Sequence, residues 1–343
     1  MKTSDFNFEL PEHLIAQHPP AEKGQSRLLI MDRKTRSLQH RMVKDLPSIL
    51  PAGTLMVFNN SKVRKARLYG ISEENSAKAE FLLLGKEDES GQIWKVMVQR
   101  ARRRRHGSCY VFPETNLGAE LLGEEGEFRL LKFDRPIDDA WLDIHGHVPL
   151  PPYIKRKDTA EDSKRYQTVY AKEYGSAAAP TAGLHFTEEL LEELQKAGIE
   201  TAFITLHVGI GTFLPVRSEK VEEHKMHEET FYLDDQTASR IEKARAEGRK
   251  VIAVGTTCVR TLESAMSETG KLQRGDGNTS IFIYPGYKFK ATDALFTNFH
   301  TPGSTLVMLV SAFADREFIL ESYREAVKEE YRFFSYGDAC LIL

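Results

Sequence analysis

The sequence predicts an α/β main domain, barrel-like and built on a mixed sheet with helices, that carries an inserted all-β barrel domain. Strand and helix patterns alternate from Arg165 to the C-terminus, which is typical of α/β folds. Residues 66–148 instead carry short strand patterns separated by Gly, Asp and Glu. Because this block interrupts the α/β pattern, we predict a discontinuous α/β domain of residues 1–65 and 149–343, with residues 66–148 as the inserted β-barrel domain.

Short apolar segments bounded by turn residues predict the first strands, at residues 27–31 and 55–59. In the inserted block, strand patterns recur at hairpin-like spacing, at residues 79–84, 93–98, 109–112 and 128–133. Three prolines within residues 149–152 end the block, because proline continues neither a helix nor a central strand.

Caps and apolar faces mark the helices of the second α/β portion. Thr187 is a good N-cap, Glu188 and Glu189 favour the first helical turn, and Gly198 ends the helix. The same reasoning predicts strands at residues 201–207, 251–254 and 280–284, and helices near residues 236–247, 305–314 and 316–330.

Composition excludes several functional classes. The 343 residues carry 47 basic and 50 acidic side chains, a formal net charge of -3, so contact with nucleic acid needs a local basic patch. The three cysteines lie far apart, which fits a reducing compartment and neither a disulfide framework nor a zinc knuckle. The sequence has no signal-peptide pattern and no apolar run that would span a bilayer, so we expect a cytoplasmic protein.

Two loops of small residues each carry one histidine. Residues 175–187 contain His185, and residues 203–215 contain His207. Small residues let backbone N–H groups approach a ligand, and imidazole donates, accepts or carries charge near neutral pH. Each loop alone is explained by a tight turn with a buried, satisfied histidine. The pair around one helix predicts a pocket for a polar small molecule.

A predicted strand enters a helix at residues 254–263. Gly255, Thr256 and Thr257 would provide N–H and hydroxyl donors at the helix N-terminus, which suits a carboxylate or phosphate. Arg260 and Glu263 share one helix face. A capped helix with a surface ion pair explains the same pattern equally well.

Three further histidines lie in polar segments. His300 falls between a predicted strand and a Pro-Gly turn, where catalytic side chains are often presented. His224 and His227 lie among glutamates, but a catalytic zinc site needs a third ligand, so a charged helix surface is the favoured interpretation.

We expect the aromatic segment at residues 332–338 to pack back onto the main domain.

A cluster of five arginines lies between two strand patterns and favours nucleic-acid binding over a solvated loop, because clustered arginine binds phosphate backbone. It consists of Arg100, Arg102, Arg103, Arg104 and Arg105, and Lys62, Arg64, Lys65 and Arg67 extend the same basic surface. The sequence contains no Walker A loop, dinucleotide fingerprint or nucleophile elbow. The residues alone therefore predict a two-domain α/β enzyme for a small polar substrate, with RNA as a candidate second substrate.

Eleven sequence motifs run nearly end to end along the chain. These are Asp5-Phe-x-Phe-Glu-Leu-Pro, Phe58-Asn-Asn-Ser-Lys-Val, Pro149-Leu-Pro-Pro-Tyr-Ile, Arg165-Tyr-Gln-Thr-Val-Tyr, Ala179-Pro-Thr-Ala-Gly-Leu-His-Phe-Thr, Leu206-His-Val-Gly-x-Gly-Thr-Phe, His224-x-Met-His-Glu, Gly255-Thr-Thr, Phe282-Ile-Tyr-Pro-Gly-Tyr, Thr297-Asn-Phe-His and Tyr331-Arg-Phe-Phe-Ser-Tyr-Gly-Asp-Ala. In this order they closely resemble the motifs of the S-adenosylmethionine:tRNA ribosyltransferase-isomerase family of queuosine biosynthesis. Lys65, Cys258 and Thr301 depart from the residues usual in the family and remove no motif.

The resemblance implies an unusual reaction. The family moves the ribosyl part of S-adenosylmethionine onto 7-aminomethyl-7-deazaguanine at the tRNA wobble position. The sugar is rearranged, adenine and methionine leave, and the product is epoxyqueuosine in tRNA. S-adenosylmethionine is thus a consumed substrate, and the resemblance implies no cofactor, no metal and no membrane. We expect a monomer.

The resemblance also suggests site residues. His185, His207 and His300 are the acid–base candidates. The candidates for binding S-adenosylmethionine are Thr181, Gly183, Gly209, Gly211, Thr212, Gly255, Thr256, Thr257, Arg260, Phe299 and Tyr336. Among them, Phe299 and Tyr336 would cover adenine or the sulfonium. The tRNA candidates are the five arginines of the cluster with Lys62 and Arg64. An RNA methyltransferase and a non-catalytic tRNA-binding protein are the rival interpretations.

Overall fold

The computed structural model describes residues 1–99, 105–113, 115–126, 128–209, 211 and 216–343. The strands are β1 (Arg27–Asp32), β2 (Ser37–Met42), β3 (Leu55–Asn59), β4 (Ser61–Val63), β5 (Arg67–Ser72), β6 (Lys78–Lys86), β7 (Ile93–Val98), β8 (Cys109–Phe112), β9 (Leu117–Glu125), β10 (Phe128–Phe133), β11 (Glu173–Ser176), β12 (Glu200–Leu206), β13 (Glu229–Leu233), β14 (Val251–Val254), β15 (Gly275–Thr279), β16 (Ala294–Asn298) and β17 (Ala339–Ile342). The helices are α1 (Leu46–Ile49), α2 (Asp139–His145), α3 (Asp162–Arg165), α4 (Glu188–Lys196), α5 (Asp235–Ala246), α6 (Thr256–Ala265), α7 (Thr305–Ala314) and α8 (Arg316–Lys328).

A mixed sheet forms the centre of the larger domain, and its nine described strands follow the order β15-β13-β12-β3-β14-β16-β17-β1-β2. Strands β12, β3, β14 and β16 run parallel, whereas β17 is antiparallel to β16 and parallel to β1. The carboxyl ends of the four parallel strands and the amino ends of β17 and β1 therefore meet at one edge of the sheet. This edge is where ligands bind in open α/β sheets.

The central strands are buried on both faces. All described residues of β3, β14 and β16 are buried, because helices cover each side of the sheet. Val57 faces a core shared with α5 to α8, and Phe58, its neighbour, faces a second core shared with α1 and α4. This alternation fixes the register of β3, since a slip by one residue would exchange the two faces.

A closed antiparallel barrel occupies the chain between β4 and α2, with its described strands in the order β10-β7-β6-β5-β8-β9. Trp94, Phe81 and Phe133 fill its centre. Strands β4 and β11, which flank the barrel in the sequence, pair with each other in the main domain. The predicted fold class, an α/β domain carrying an inserted β-barrel, is confirmed.

Most central elements were predicted within one or two residues, but the predicted strand at residues 280–284 is wrong. The strand lies just before it, at β15, where Gly275 and Asp276 would not be expected from β propensity. Pairing with β13 at the sheet edge forms this strand. Helices α5 to α8 are modest in length, and in the described ranges no helix is long and apolar enough to cross a membrane.

Candidate active site at the carboxyl edge of the sheet

A cavity opens at the carboxyl edge, where β14 and β16 end and α6 and α7 begin. Its described lining consists of Tyr153, Ala179, Pro180, Thr181, Ala182, Val208, Gly255, Thr256, Thr257, Thr297, Asn298, Phe299, His300, Thr301, Ser304, Leu306, Phe334 and Ser335. Six segments far apart in the sequence thus converge on one hollow. Four residues with small or hydroxyl side chains that were predicted to bind the ligand line this cavity, namely Thr181, Gly255, Thr256 and Thr257.

Two helix N-termini meet at this cavity. Gly255 has a φ of 93°, a conformation that favours glycine, and its N–H donates to the Phe296 carbonyl at 2.7 Å. The chain can therefore turn from β14 directly into α6 beside the end of β16. At α7, the Ser304 side chain caps the helix by accepting the Val307 N–H at 3.3 Å. The partial positive charges of both helix ends make the cavity favourable for an anionic group.

His300 is the one predicted acid–base residue on the described lining of the cavity. Its Nε2 lies 3.1 Å from the Thr297 hydroxyl, and its backbone N–H donates to the Tyr323 hydroxyl at 3.3 Å. Burial lowers the pKa of His300 to about 3, because the low-dielectric surroundings disfavour the imidazolium form. The imidazole is therefore neutral at physiological pH and is in the form that accepts a proton.

His185 lies outside the described lining and is held by two hydrogen bonds. Its Nδ1 is 2.8 Å from the Ser26 hydroxyl, and its Nε2 is 2.9 Å from the Asn298 amide nitrogen. Burial lowers the pKa of His185 to about 4, so this imidazole is also neutral. Both ring nitrogens are engaged with the protein, which is the arrangement of a satisfied core histidine.

His207 also lies outside the described lining, although its neighbour Val208 borders the cavity. Burial, and then the nearby Arg64 cation, lower the pKa of His207. Its Nδ1 is buried and has no hydrogen-bond partner in the described part of the chain. The ring packs on Gly175, where an added Cβ would stand 2.5 Å from Nδ1. The two small-residue loops therefore converge through Thr181, Ala182 and Val208, not through their histidines.

Gly183 is small for a packing reason. A Cβ at this position would clash with the Tyr170 hydroxyl oxygen and would lie 2.7 Å from Thr168 Cγ2. Gly211 likewise packs against the His227 ring, where an added Cβ would stand 2.7 Å from Cδ2. Contact with these side chains, rather than close approach of a ligand, accounts for both glycines in the structure.

Arg260 does not pair with Glu263, so the expectation of a surface ion pair is wrong. Arg260 forms a buried ion pair with Glu229, whose other carboxylate oxygen accepts the Gly209 N–H at 2.7 Å. Glu263 instead accepts the backbone N–H groups of three consecutive residues, at 2.8 to 3.0 Å, namely Lys290, Ala291 and Thr292. Helix α6 thus holds two loops through two separate buried charges.

The two aromatic candidates are engaged elsewhere. The Phe299 side chain is fully buried against Tyr323 and Phe333, with ring centroids 5.2 and 4.9 Å away. The Tyr336 hydroxyl donates to Asp162 at 2.8 Å, at a depression shared with His185. Either ring would have to leave these contacts to cover a ligand.

The His224–His227 segment is a loop after a short 3-10 turn, so the interpretation as a charged helix surface is wrong. His224 contacts the Phe282 ring, and His227 contacts Phe128 of the barrel, with centroids 5.2 and 6.2 Å apart. Across the described ranges, no group of three or more His, Cys, Asp or Glu side chains has an arrangement that would hold a metal ion.

The predicted basic surface is divided. Arg64 forms an ion pair with Asp139 of α2 and lies 5.3 Å from the Trp94 ring, which ties the barrel to the main domain. Lys62 lies over the Tyr174 ring at 4.1 Å, and Arg105 is exposed. The predicted residues Arg100, Arg102, Arg103 and Arg104, and the ligand candidate Thr212, lie outside the described residues.

Six polar cavity residues were not predicted as site residues: Asn298, Thr297, Tyr153, Thr301, Ser304 and Ser335. Asn298 and Thr297 stand beside the predicted His300 within the segment Thr297-Asn-Phe-His, so the motif itself was the available signal. Tyr153 comes from the proline-rich segment that ends the inserted block. Burial raises the pKa of Tyr153 to about 12, and its hydroxyl is hydrogen-bonded to Ser335, so it is a neutral donor or acceptor at the cavity.

An α/β sheet edge with two converging helix N-termini and a neutral imidazole is an arrangement that suits a small molecule with an anionic group. Comparison with known proteins shows the family to which the chain belongs. The family model described as queuosine biosynthesis protein matches residues 3–342, and the chain belongs to that family.

Curated relatives that match this chain over their full length share one name. Proteins called S-adenosylmethionine:tRNA ribosyltransferase-isomerase from Treponema denticola and Desulfitobacterium hafniense are 57% and 51% identical to this chain, with 100% of each chain covered. The crystal structure of S-adenosylmethionine tRNA ribosyltransferase from Thermotoga maritima is 39% identical, with a TM-score of 0.57, and the match covers 99% of this chain and 100% of that one. The motif resemblance found in the sequence is confirmed.

Proposed function

We propose that this enzyme transfers and isomerises the ribosyl moiety of S-adenosylmethionine onto 7-aminomethyl-7-deazaguanine at the tRNA wobble position. The products are epoxyqueuosine-tRNA, adenine and methionine. The names of the full-length relatives support S-adenosylmethionine and tRNA as the two substrates. The observation that carries the proposal is the cavity, because two helix N-termini suit the carboxylate group of S-adenosylmethionine.

The methionine carboxylate binds at the N-terminus of α6 in this proposal. Gly255, Thr256 and Thr257 border the cavity there, and the two threonines offer backbone N–H groups and hydroxyls. The N-terminus of α7, close to Ser304, adds a second partial positive charge. Gly209 remains a candidate for contact with the nucleoside, since it follows Val208 at the cavity.

His300 is the favoured proton acceptor among the three candidate histidines. The proton on the carbon next to a sulfonium is acidified by the positive sulfur, and its removal needs an unprotonated base. His300 borders the cavity as a neutral imidazole, and a positioned histidine typically contributes about 10²–10⁴-fold in general acid–base catalysis. His185 and His207 stay candidates for other proton transfers, and their contacts with the protein favour supporting roles.

The tRNA is proposed to bind through the arginine cluster and Lys62. Arg64 is committed to Asp139, so its contribution is to hold the barrel rather than to neutralise phosphate. The whole reaction consumes S-adenosylmethionine and needs no resident cofactor. Its tRNA substrate fits the cytoplasm as the compartment in which the enzyme acts.

The decisive experiment incubates the enzyme with S-adenosylmethionine and tRNA that carries the 7-aminomethyl base. Free adenine is measured by chromatography, and the modified nucleoside is identified by mass. Release of S-adenosylhomocysteine would instead indicate a methyltransferase. Tight, salt-dependent tRNA binding with no dependence on S-adenosylmethionine would indicate a non-catalytic binding protein.

Single His→Gln variants assign the proton transfers, because glutamine keeps hydrogen bonding but does not titrate. We expect adenine release to fall by about 10²–10⁴-fold in His300→Gln. Near-normal turnover of that variant would remove His300 from the chemistry.

Decarboxylated S-adenosylmethionine tests the anion site separately, and we expect it to bind about 10- to 150-fold more weakly than S-adenosylmethionine. This is the range that the loss of one charge-assisted hydrogen bond produces.

A further inference from the structure

The carboxamide of Asn298 has an orientation that its neighbours determine. Its nitrogen donates to the Phe334 carbonyl at 3.1 Å and lies 2.9 Å from Nε2 of His185. A flipped amide would set its oxygen against the Phe334 carbonyl oxygen, which is unfavourable, so the nitrogen occupies this position. The His185 Nε2 is then the acceptor, and its Nδ1–H donates to the Ser26 hydroxyl.

The oxygen of the same carboxamide is buried and unpaired within the described part of the chain. Asn298 is 2% exposed, and its Oδ1 has no hydrogen-bond partner among the residues that the structure describes. A buried carbonyl oxygen without a donor typically costs about 1–3 kcal/mol, so native proteins rarely keep one without a reason. Asn298 is one of the residues that border the cavity.

This unpaired acceptor lies beside the proposed anion site. The Gly255 N–H donates to the Phe296 carbonyl, and β14 and β16 are paired in parallel up to Val254 and Phe296. Neighbouring strands are about 4.8 Å apart, so the first residues of α6 and Asn298 stand next to each other at the cavity wall. A donor group at Asn298 and an acceptor group at α6 therefore belong to neighbouring atoms of one ligand.

We infer that Asn298 forms the α-ammonium subsite of a cavity that recognises a free α-amino acid moiety. The carboxylate faces the N-terminus of α6, and the ammonium one carbon away donates to Oδ1 of Asn298. This inference rests on the proposed function, in which the ligand is S-adenosylmethionine. His185 is a positioning residue in this arrangement, because its Nε2 holds the amide nitrogen away from the cavity and leaves the oxygen for the ligand.

The test compares two ligands on the wild-type enzyme and on Asn298→Ala by calorimetric titration. One ligand is S-adenosylmethionine, and the other is its analogue with hydrogen in place of the α-ammonium group. We expect the wild type to bind S-adenosylmethionine about 10- to 150-fold more tightly than the analogue, and the variant to bind the two within about threefold. An equal preference in both proteins would overturn the inference.

Asn59→Ala is the matched control. Asn59 is another buried asparagine at the same edge, but its side chain is satisfied by Leu206 and Ser61. We expect this variant to lose thermal stability and to keep the wild-type ligand preference.

The positioning role of His185 has its own readout. His185→Gln can still accept a hydrogen bond from Asn298, whereas His185→Leu cannot. We expect the leucine variant to raise KM for S-adenosylmethionine about 10-fold or more with little change in kcat, and the glutamine variant to restore KM. A large loss of kcat in the glutamine variant would make His185 a proton-transfer residue and refute the positioning role. Wild-type protein that does not bind S-adenosylmethionine at all would instead refute the proposed function.

Discussion

Arg260→Met is expected to destabilise the main domain strongly, because it leaves the Glu229 carboxylate buried without its cation. The two side chains are only 5% and 4% exposed, so water cannot replace the missing partner. Removing one member of a buried ion pair typically costs about 3–5 kcal/mol. For a domain of this size each kcal/mol lowers the melting temperature by about 2–4 °C, so we expect a decrease of roughly 6–20 °C. Differential scanning calorimetry on the full chain measures this decrease.

A double-mutant cycle separates the ion pair from the size of the side chains. Glu229→Gln keeps an acceptor for the Gly209 N–H but leaves Arg260 uncompensated, so it should also be strongly destabilising. In the double variant no unpaired charge remains, and we expect it to be more stable than either single variant. Additive effects, or single effects below about 1 kcal/mol, would show that water or another group screens this pair and that our account of the buried charges is wrong.

Three further results are expected. Gly183→Ala should lower the melting temperature by roughly 2–12 °C, since overpacking against Tyr170 costs about 1–3 kcal/mol, and Tyr170→Phe should recover part of the loss by removing the clashing hydroxyl. Burial lowers the pKa of His185 to about 4, so only the unfolded chain takes up its proton as the pH falls from about 6.5. Stability is therefore complete above about pH 6.5 and declines below it by about 1.4 kcal/mol per pH unit, and a melting temperature that falls equally in the wild type and in His185→Gln between about pH 6.5 and 5 would contradict the neutral imidazole. Replacement of residues 102–105 by alanine should weaken tRNA binding and reduce the slope of log affinity against log salt by about 0.7–0.9 for each phosphate that the variant no longer neutralises, and unchanged affinity at low salt would exclude the cluster.

The sequence predicted the buried strands and long helices because their patterns are governed by local rules. Residues 55–59 form an apolar strand buried on both faces, and Thr187 caps α4 through the Leu190 N–H as its side chain predicts. The polar edge strands β2 and β15 had no such pattern. They form because a neighbouring strand offers unpaired backbone groups, and that neighbour is not encoded nearby in the sequence.

Some residues of the candidate site also had a local signal in the sequence, and others had none. Gly255-Thr-Thr was predicted to be a ligand-facing turn because a strand, a glycine and a helix start follow one another in the sequence, and these residues do border the cavity. The partners of Arg260 and His185 had no comparable signal. Glu229 is 31 residues from Arg260, and Ser26 is 159 residues from His185, so only the folded chain brings them together.

The histidines illustrate what residue type alone leaves open. A histidine in a small-residue loop is consistent with catalysis or with core structure, and the deciding property is how many of its ring nitrogens the protein occupies. His185 has both nitrogens engaged, whereas Nδ1 of His300 has no hydrogen bond within the described chain and that residue borders the cavity. The same accounting applied to Asn298 leaves one oxygen without a donor beside a helix N-terminus. This count of hydrogen bonds is the basis on which we propose His300 as the proton acceptor and His185 as the residue that positions the Asn298 amide.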